Sequence, residues 1–501
     1  MTGPADHVAF HAKLQPGRLA AVDLISDRRW TYGELDRAID ACAALLTGAY
    51  RCGIGDRVAC LSKNRVETIM LHLACARAGL IFVPLNWRLS AMEIADLLAD
   101  CEPRVLFGGP ELSQHGVGGV QMDQLAAEIA AHGPLVSRSL VGGPGDPDRP
   151  SLILYTSGTS GRPKGVVLSE RNLCQTAINF GMLGRVTPDS VFLVDSPMFH
   201  VIGLVTSVRP PLLHGGVILV SDGFQPPRTL ARLGDPQLGI SHYFCVPQMA
   251  AALRAEPSFN PATLRGMTAI FTGGAPHAAD DIRAWLDDGV SIVDGFGMSE
   301  AGTVFGMPID PQQIAPKAGC VGLGTPAIKA RIVDALDQDC PPCAAGELLL
   351  KGENIFSGYW RRPDETEKAF TPDGWFRTGD IAVCDADGYY RLVDRKKDMF
   401  ISGGENVYPA EIEGALAGLS GLVECAVVGV ADAHWGEVGV CFYVPSPQSG
   451  VGEQHLHARL SERLARYKLP RRYVAVERLP RTGSGKVVKG QLRASLDNTS
   501  N

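Results

Sequence analysis

Leu154-Tyr-Thr-Ser-Gly-Thr-Ser-Gly-Arg-Pro-Lys-Gly165 is the most telling stretch of this chain. It gathers the hydroxyls of Thr156, Ser157, Thr159 and Ser160, the glycines Gly158, Gly161 and Gly165, and Lys164. Ser151-Leu-Ile-Leu-Tyr155, just ahead of it, is apolar and predicts a short buried strand. A strand opening into such a loop suits polyphosphate. Glycines let backbone N–H groups approach the oxygens, hydroxyls donate further bonds, and lysine supplies charge. The Walker A loop is the obvious rival, but it requires Ser or Thr after its lysine, and here Gly165 follows Lys164. The segment predicts a phosphate loop of another kind.

Working outward, 501 residues give room for roughly three domain-sized units, and 45% apolar with 20% charged residues is ordinary for a globular protein. A net charge of −7 argues against a general nucleic-acid binder, so any anionic substrate must be met by local clusters. The thirteen cysteines are scattered through apolar stretches and read as reduced core thiols. Cys340-Pro-Pro-Cys343 lacks a second CxxC or His pair and predicts a turn. The first residues carry Asp6, His7, His11 and Lys13 without an apolar core, and no apolar run reaches the ~18 residues of a membrane span. A cytoplasmic protein is expected.

Thr31 with Glu34 has capping-box spacing ahead of a helical pattern through Leu46. Strand-like runs then alternate with helices: Arg57–Leu61, Ile81–Pro84, Val105–Phe107, Val191–Val194, Val217–Val220, Tyr243–Val246, Ala269–Thr272 and Ser291–Asp294. Such βαβ patterning predicts parallel sheets flanked by helices. From about Gly319 shorter strands broken by Gly, Pro and Asp predict a small antiparallel barrel or sheet. Asp394-Arg-Lys-Lys-Asp398 is a charge run between apolar segments and the best boundary in the chain. The expected class is α/β: a large lobe over 1–393 of layered sheets plus the small barrel, a hinge at 394–398, and a smaller mobile α+β domain over 399–501.

Several predicted strands end in chemically loaded turns: Asp195-Ser-Pro-Met-Phe-His200, Thr272-Gly-Gly-Ala-Pro276, Asp294-Gly-Phe-Gly-Met-Ser-Glu300 and Trp375-Phe-Arg-Thr-Gly-Asp380. Arg481-Thr-Gly-Ser-Gly-Lys486 adds a glycine-flanked lysine near the C-terminus. With the loop at 154–165, in this order and spacing, the chain resembles the adenylate-forming superfamily of acyl-CoA synthetases, adenylation domains and beetle luciferases over essentially its full length. The resemblance implies ATP, Mg2+ and coenzyme A as partners of a carboxylic acid. Acyl-adenylate and pyrophosphate would form first; thiol attack would then give thioester and AMP.

It further implies that Thr156, Ser157, Gly158, Thr159, Ser160, Gly161 and Lys164 hold the β- and γ-phosphates, that Ser299 bonds the α-phosphate, and that Glu300 ligates Mg2+. Gly274, Ala275 and Pro276 would cover one face of adenine and Phe296 the other, within Asp294, Gly295, Gly297 and Met298. Phe296 and Ser299 stand where the family usually has tyrosine and threonine, and Asp294 where an amide is frequent. Asp380 would accept the ribose hydroxyls with Arg395 beside it. Lys486 would bridge carboxylate and α-phosphate in the first half-reaction, Lys397 would be the hinge, and Ser402, Gly403, Gly404, Glu405 and Asn406 would line the pantetheine tunnel.

His200 is typical of the acyl- and aryl-CoA ligase branch, and Val201-Ile-Gly-Leu-Val-Thr206 has no acid to hold an α-ammonium group. The expected acyl pocket draws on His200, Val201, Gly203, Phe244, Val246, Met249, Gly273, Met298, Ala301, Thr303, Val304 and Phe305. It is mostly apolar, which suits an uncharged tail. An aryl or arylalkanoic acid edges ahead of a medium-chain fatty acid. Free CoA is the expected acceptor because no carrier domain follows Lys486. A ligase loading a separate carrier protein, or a non-catalytic nucleotide-binding homologue, remains the alternative, and a homodimer stays open.

Overall fold

The computed structural model describes residues 6–132, 146–156, 163–275, 277–402, 405–432, 435–447, 450–481 and 486–497. The helix Tyr32–Thr47 starts as its sequence dictates: Thr31 and Glu34 form the full capping box, satisfying N-terminal N–H groups that would otherwise lack acceptors. Its apolar face, with Leu35, Ile39, Cys42 and Leu46, is fully or almost fully buried. It packs beside Val66–Ala78, a helix with little amphipathic bias because nearly all of it lies inside.

These helices belong to a core shared by two sheets, joining Val58, Phe82 and Leu152 of one to Val194, Ile218 and Val220 of the other. The first has seven strands in the order Gly358–Tyr359, Lys164–Ser169, Pro150–Thr156, Ile81–Pro84, Arg57–Leu61, Val105–Gly108, Val120–Gln121. The second has nine: Leu323–Gly324, Gly302–Gly306, Ile292–Met298, Ala269–Thr272, His242–Cys245, Val191–Val194, Val217–Val220, Leu19–Asp23 and Arg28–Thr31. The βαβ segments pair in parallel as expected. The 150–169 segment does not. Pro150–Thr156 and Lys164–Ser169 pair antiparallel, so the phosphate-type segment connects two neighbouring strands, with Thr156 opposite Lys164.

The expected small antiparallel unit is a four-stranded sheet of Ile328–Val333, Gly346–Gly352, Phe376–Cys384 and Tyr390–Arg395. Beyond it, Gly436–Pro445 is flanked by Leu422–Asp432, Phe400–Ser402 and, in parallel, Arg472–Ala475, with Glu405–Val407 at the edge. Two separate small cores hold this sheet to the helices Pro409–Leu416, Glu453–Ser461 and Lys489–Asp497. Asp394, the penultimate residue of its strand, accepts the Ala410 N–H through Oδ2 at 2.8 Å and so tethers the first of those helices. All thirteen cysteines are unpaired. Among the described residues no helix is long and apolar enough to cross a membrane, and no cluster of three or more His, Cys, Asp or Glu could hold a metal by itself.

Candidate active site

The histidine turn is held rigidly. Asn64 clamps it, donating to the Ser196 carbonyl at 2.8 Å and accepting from the Met198 N–H at 2.9 Å, while Ser196 Oγ donates to the Phe244 carbonyl at 3.0 Å. The chain then enters a π-helical turn, Ile202–Thr206, a form frequent at functional sites. Gly203 is required there, since a Cβ would sit 2.2 Å from the Pro197 carbonyl oxygen. His200 is thereby presented with Nε2 buried and unbonded. Burial lowers its pKa to about 4, with help from Lys486 and Arg88, so the imidazole is neutral at pH 7.

Asp380 and Arg395 face each other across two strands, and Arg395 Nε donates to Asp380 Oδ1 at 2.6 Å. Asp380 Oδ2 is buried with no partner, an acceptor that a ligand hydroxyl would complete. Burial raises its pKa to about 6 despite Arg395 and Lys486; Glu300 and Asp394 push the same way as burial.

Glu300 is buried too. Its Oε1 accepts from the Tyr359 hydroxyl at 3.1 Å, and desolvation raises its pKa although Arg395 and Lys486 oppose that. The Tyr359 ring lies 5.1 Å from Lys164 Nζ, and Lys164 is ion-paired with Glu365. Tyr359 and Glu365 thus join a group that the motifs alone did not reveal. The Gly-Tyr-Trp run around Tyr359 gives no local sign of it, because the contact with residue 300 exists only in the fold.

Lys486 completes the convergence. It keeps a solvent-facing side, yet it lies within electrostatic range of Asp380, Glu300, His200, Arg395 and Lys397. Partial burial, then Arg395, lowers its pKa; Asp380 and Glu300 act in the opposite sense. Segments distant in sequence therefore lie within electrostatic range of one lysine.

In the segment expected to enclose a base, Phe296 is buried and stacks on Phe305, with ring centroids 5.9 Å apart. Asp294 is buried and accepts from Thr272 Oγ1 at 3.0 Å, while burial raises its pKa to about 8. Gly274 has φ 81°, a left-handed conformation, and a Cβ there would come within 3.5 Å of Ile202 Cδ1 and 3.8 Å of Val246 Cγ1. Gly273, buried, backs on Phe244.

The residues expected to line the acyl pocket differ in exposure. Val201, Phe244, Val246, Met249 and Met298 keep accessible surface, and Ile202, not named from sequence, joins them. Ala301, Val304 and Phe305 are fully or almost fully buried, and Phe305 is stacked between Tyr390, 4.2 Å away, and Phe296. The strand that carries Val304 and Phe305 pairs with the Phe296 strand and also contacts the π-helical turn after His200. Thr303 is buried with its carbonyl taken by Asn179 at 3.1 Å. Ser299, Gly295, Gly297 and Ala275 are partly exposed. Thr156 Oγ1 donates to the Lys164 carbonyl of the neighbouring strand at 3.4 Å. Ser157, Gly158, Thr159, Ser160, Gly161, Pro276, Gly403 and Gly404 lie outside the described residues; Ser402 is buried and pairs with Glu405, and Ile401 with Asn406.

Comparison with known proteins gives the class. The AMP-binding enzyme model matches residues 8–360 and the AMP-binding enzyme C-terminal domain model matches 411–486, so this chain belongs to the adenylate-forming AMP-binding enzyme family. Feruloyl-CoA synthase of an Amycolatopsis species is 38% identical over 92% of this chain and 93% of its own. Indoleacetate–CoA ligase of Aromatoleum aromaticum is 36% identical over 96% of each. Among solved structures, ATP-bound MatB of Rhodopseudomonas palustris superposes with a TM-score of 0.89 at 30% identity, covering 100% of both chains. The same protein without ligand, again over 100% of both, gives 0.80, so the arrangement here is nearer the nucleotide-bound form.

Proposed function

We propose that the protein is an AMP-forming acid–thiol ligase that activates an aryl, arylalkanoic or medium-chain monocarboxylic acid with ATP and passes the acyl group to coenzyme A. The observation that carries this reading is that Lys486, near the C-terminus, lies within electrostatic range of Asp380, Glu300 and His200 from the middle of the chain. In the first step a carboxylate oxygen bonds to the α-phosphorus and pyrophosphate leaves. Lys486, a flexible point charge, offsets the negative charge that gathers there. Asp380 Oδ2 accepts from the ribose, Phe296 and the Gly274–Pro276 turn enclose the base, and Lys164 with the loop before it holds the outer phosphates. His200 can donate from Nε2 to the acid when the proton sits on that nitrogen.

Glu300 suits Mg2+ held by one carboxylate and the phosphates together: a buried carboxylate with a raised pKa gains from a cation, and a ligand set shared with substrate is usual for this ion. The cation would supply charge neutralisation.

In the second step the thiol sulfur bonds to the acyl carbon, AMP leaves, and the thiol proton goes to solvent. Rotation about Lys397, within the 394–398 hinge between lobes 1–393 and 399–501, would withdraw Lys486 and bring Ser402 to Asn406 to the site. The open surface of Val201, Ile202, Phe244, Val246, Met249 and Met298 carries no charge, which supports an apolar tail. The two aryl-acid ligases among the relatives favour an aromatic one.

The test is pyrophosphate release with a panel of aliphatic and aromatic acids, with and without CoA, and thioester detection by mass. Release without a CoA thioester would redirect the acceptor to a carrier protein. No release with any acid class would leave a nucleotide-binding homologue.

A further inference from the structure

Cys340-Pro-Pro-Cys343 has dithiol spacing, yet the fold gives its two cysteines different neighbours. Cys340 Sγ donates to the Ala345 carbonyl at 3.9 Å, and the charges acting on it are Asp334 and Asp339. The turn closes with the Ala344 N–H on the Pro341 carbonyl at 3.1 Å, while the Cys343 N–H donates to the Cys384 carbonyl at 2.9 Å. Covalent geometry then holds the Cα atoms of Cys343 and Cys384 within about 6.8 Å, inside the range of about 4.4–6.8 Å that a disulfide spans. The two thiols also lie within electrostatic range of each other.

This pair is unequal in a way that suits thiol exchange. Cys343 is exposed and Cys384 is half-buried. Cys343 holds φ at 67°, a left-handed conformation that costs a residue with a side chain and collects at functional positions. Two prolines ahead of it restrict the turn. Partial burial raises the pKa of Cys384 against the Tyr390 hydroxyl that bonds its sulfur; Asp385 and Cys343 act with burial. Cys343 is therefore the thiol that meets an oxidant, and Cys384 the one that resolves.

We propose that Cys343 and Cys384 are a redox modification site, oxidised to a disulfide by a small disulfide of the glutathione class, and that closing it weakens ATP binding. The Cys343 sulfur attacks one sulfur of the small disulfide and expels the first thiol. The Cys384 sulfur then attacks the Cys343 sulfur and expels the second. The cysteines lose two protons and two electrons, which the oxidant gains as it becomes two thiols. Cys384 ends the strand that carries Asp380 and pairs across it with Tyr390. The Tyr390 ring stacks on Phe305 at 4.2 Å, and Phe305 stacks on Phe296 at 5.9 Å. A bond to Cys343 takes the Cys384 sulfur from the Tyr390 hydroxyl, at the head of this stack, and ties down the strand end. The effect on ATP rests on the reading of Asp380 and Phe296 as nucleotide contacts; the disulfide itself does not.

The experiment treats the reduced full chain with excess glutathione disulfide, blocks the remaining thiols and maps the cysteines by peptide mass. A Cys343–Cys384 cross-link is expected, reopened by dithiothreitol, present in Cys340→Ser and absent in Cys343→Ser. Kd for ATP is read by calorimetry without acid. It should rise about fivefold on oxidation of wild type and Cys340→Ser but not of Cys343→Ser, the scale of coupling through packed side chains. A Cys340–Cys343 bond instead, or glutathione left on Cys343 without the cross-link, would overturn the inference. So would a cross-link that leaves Kd unchanged. Reduced protein that binds ATP yet releases no pyrophosphate with any acid would refute the ligase reading, while the peptide map and the ATP titration still decide this one.

Discussion

Two lysines, each beside a glycine, sit far apart in the chain, and the structure treats them differently. Lys164 begins a strand of the seven-stranded sheet, lies against the Tyr359 ring and is paired with Glu365. Lys486 is presented by the small domain, next to the isolated Arg481–Val487 bridge, with its charge disfavoured by partial burial and Arg395. On the proposed reading, one is anchored to the body that would hold the nucleotide, and the other would arrive with a part that can leave. Similar local composition therefore supports two jobs, and what separates them is the element that carries the loop.

The largest effect should come from removing the arriving charge. Lys486→Ala is expected to slow acyl-adenylate formation by about 10²–10³-fold, the scale of losing one transition-state charge stabiliser, while thioester formation from supplied acyl-adenylate changes little. Equal losses in both assays would erase the distinction between the two lysines. Next, Glu300→Gln should lower turnover at limiting Mg2+ by about 10–100-fold and move the Mg2+ titration to higher concentration; an unmoved titration would take Glu300 out of the metal site.

Asp380→Asn should raise KM for ATP about tenfold through loss of charge-assisted hydrogen bonds. It also carries a pH signature. The Asp380 pKa is near 6, raised by burial and by Glu300 and Asp394 against Arg395 and Lys486. Its acceptor form prevails above that pH, so ATP affinity of the wild type should fall as pH drops through 6 and recover above it. The Asn variant should lack that step, and a step that persists would assign it to another group. The smallest effect belongs to Glu365→Gln. It removes a partly exposed ion pair and should change KM for ATP only about twofold, downward, because Lys164 then meets phosphate without a competing carboxylate.

Much of the fold was legible in local pattern. The capping box at Thr31 and the apolar runs at 191–194, 217–220 and 269–272 became the helix and strands they predict, because short-range chemistry sets them. Strand order was not legible. Leu19–Asp23 lies beside Val217–Val220, and no rule of period or spacing connects residues so distant in sequence. Candidate site residues with one distinctive side chain, such as Asp380 and Lys486, were nominated by motif order. Tyr359, Glu365 and Ile202 were not, since each matters only through a neighbour supplied by another segment. Phe305, an apolar residue expected in the pocket, packs between Tyr390 and Phe296, a placement that its motif alone does not give.

The Lys164–Glu365 pair has a consequence for how the cycle would turn over. An ammonium already matched by a tethered carboxylate meets the triphosphate by swapping anions, so its charge is covered before and after loading. The same carboxylate stands ready when pyrophosphate loosens its hold, and its return would hasten departure of that product and discourage rebinding. A side chain outside the chemical step would thus help set the rate at which pyrophosphate leaves.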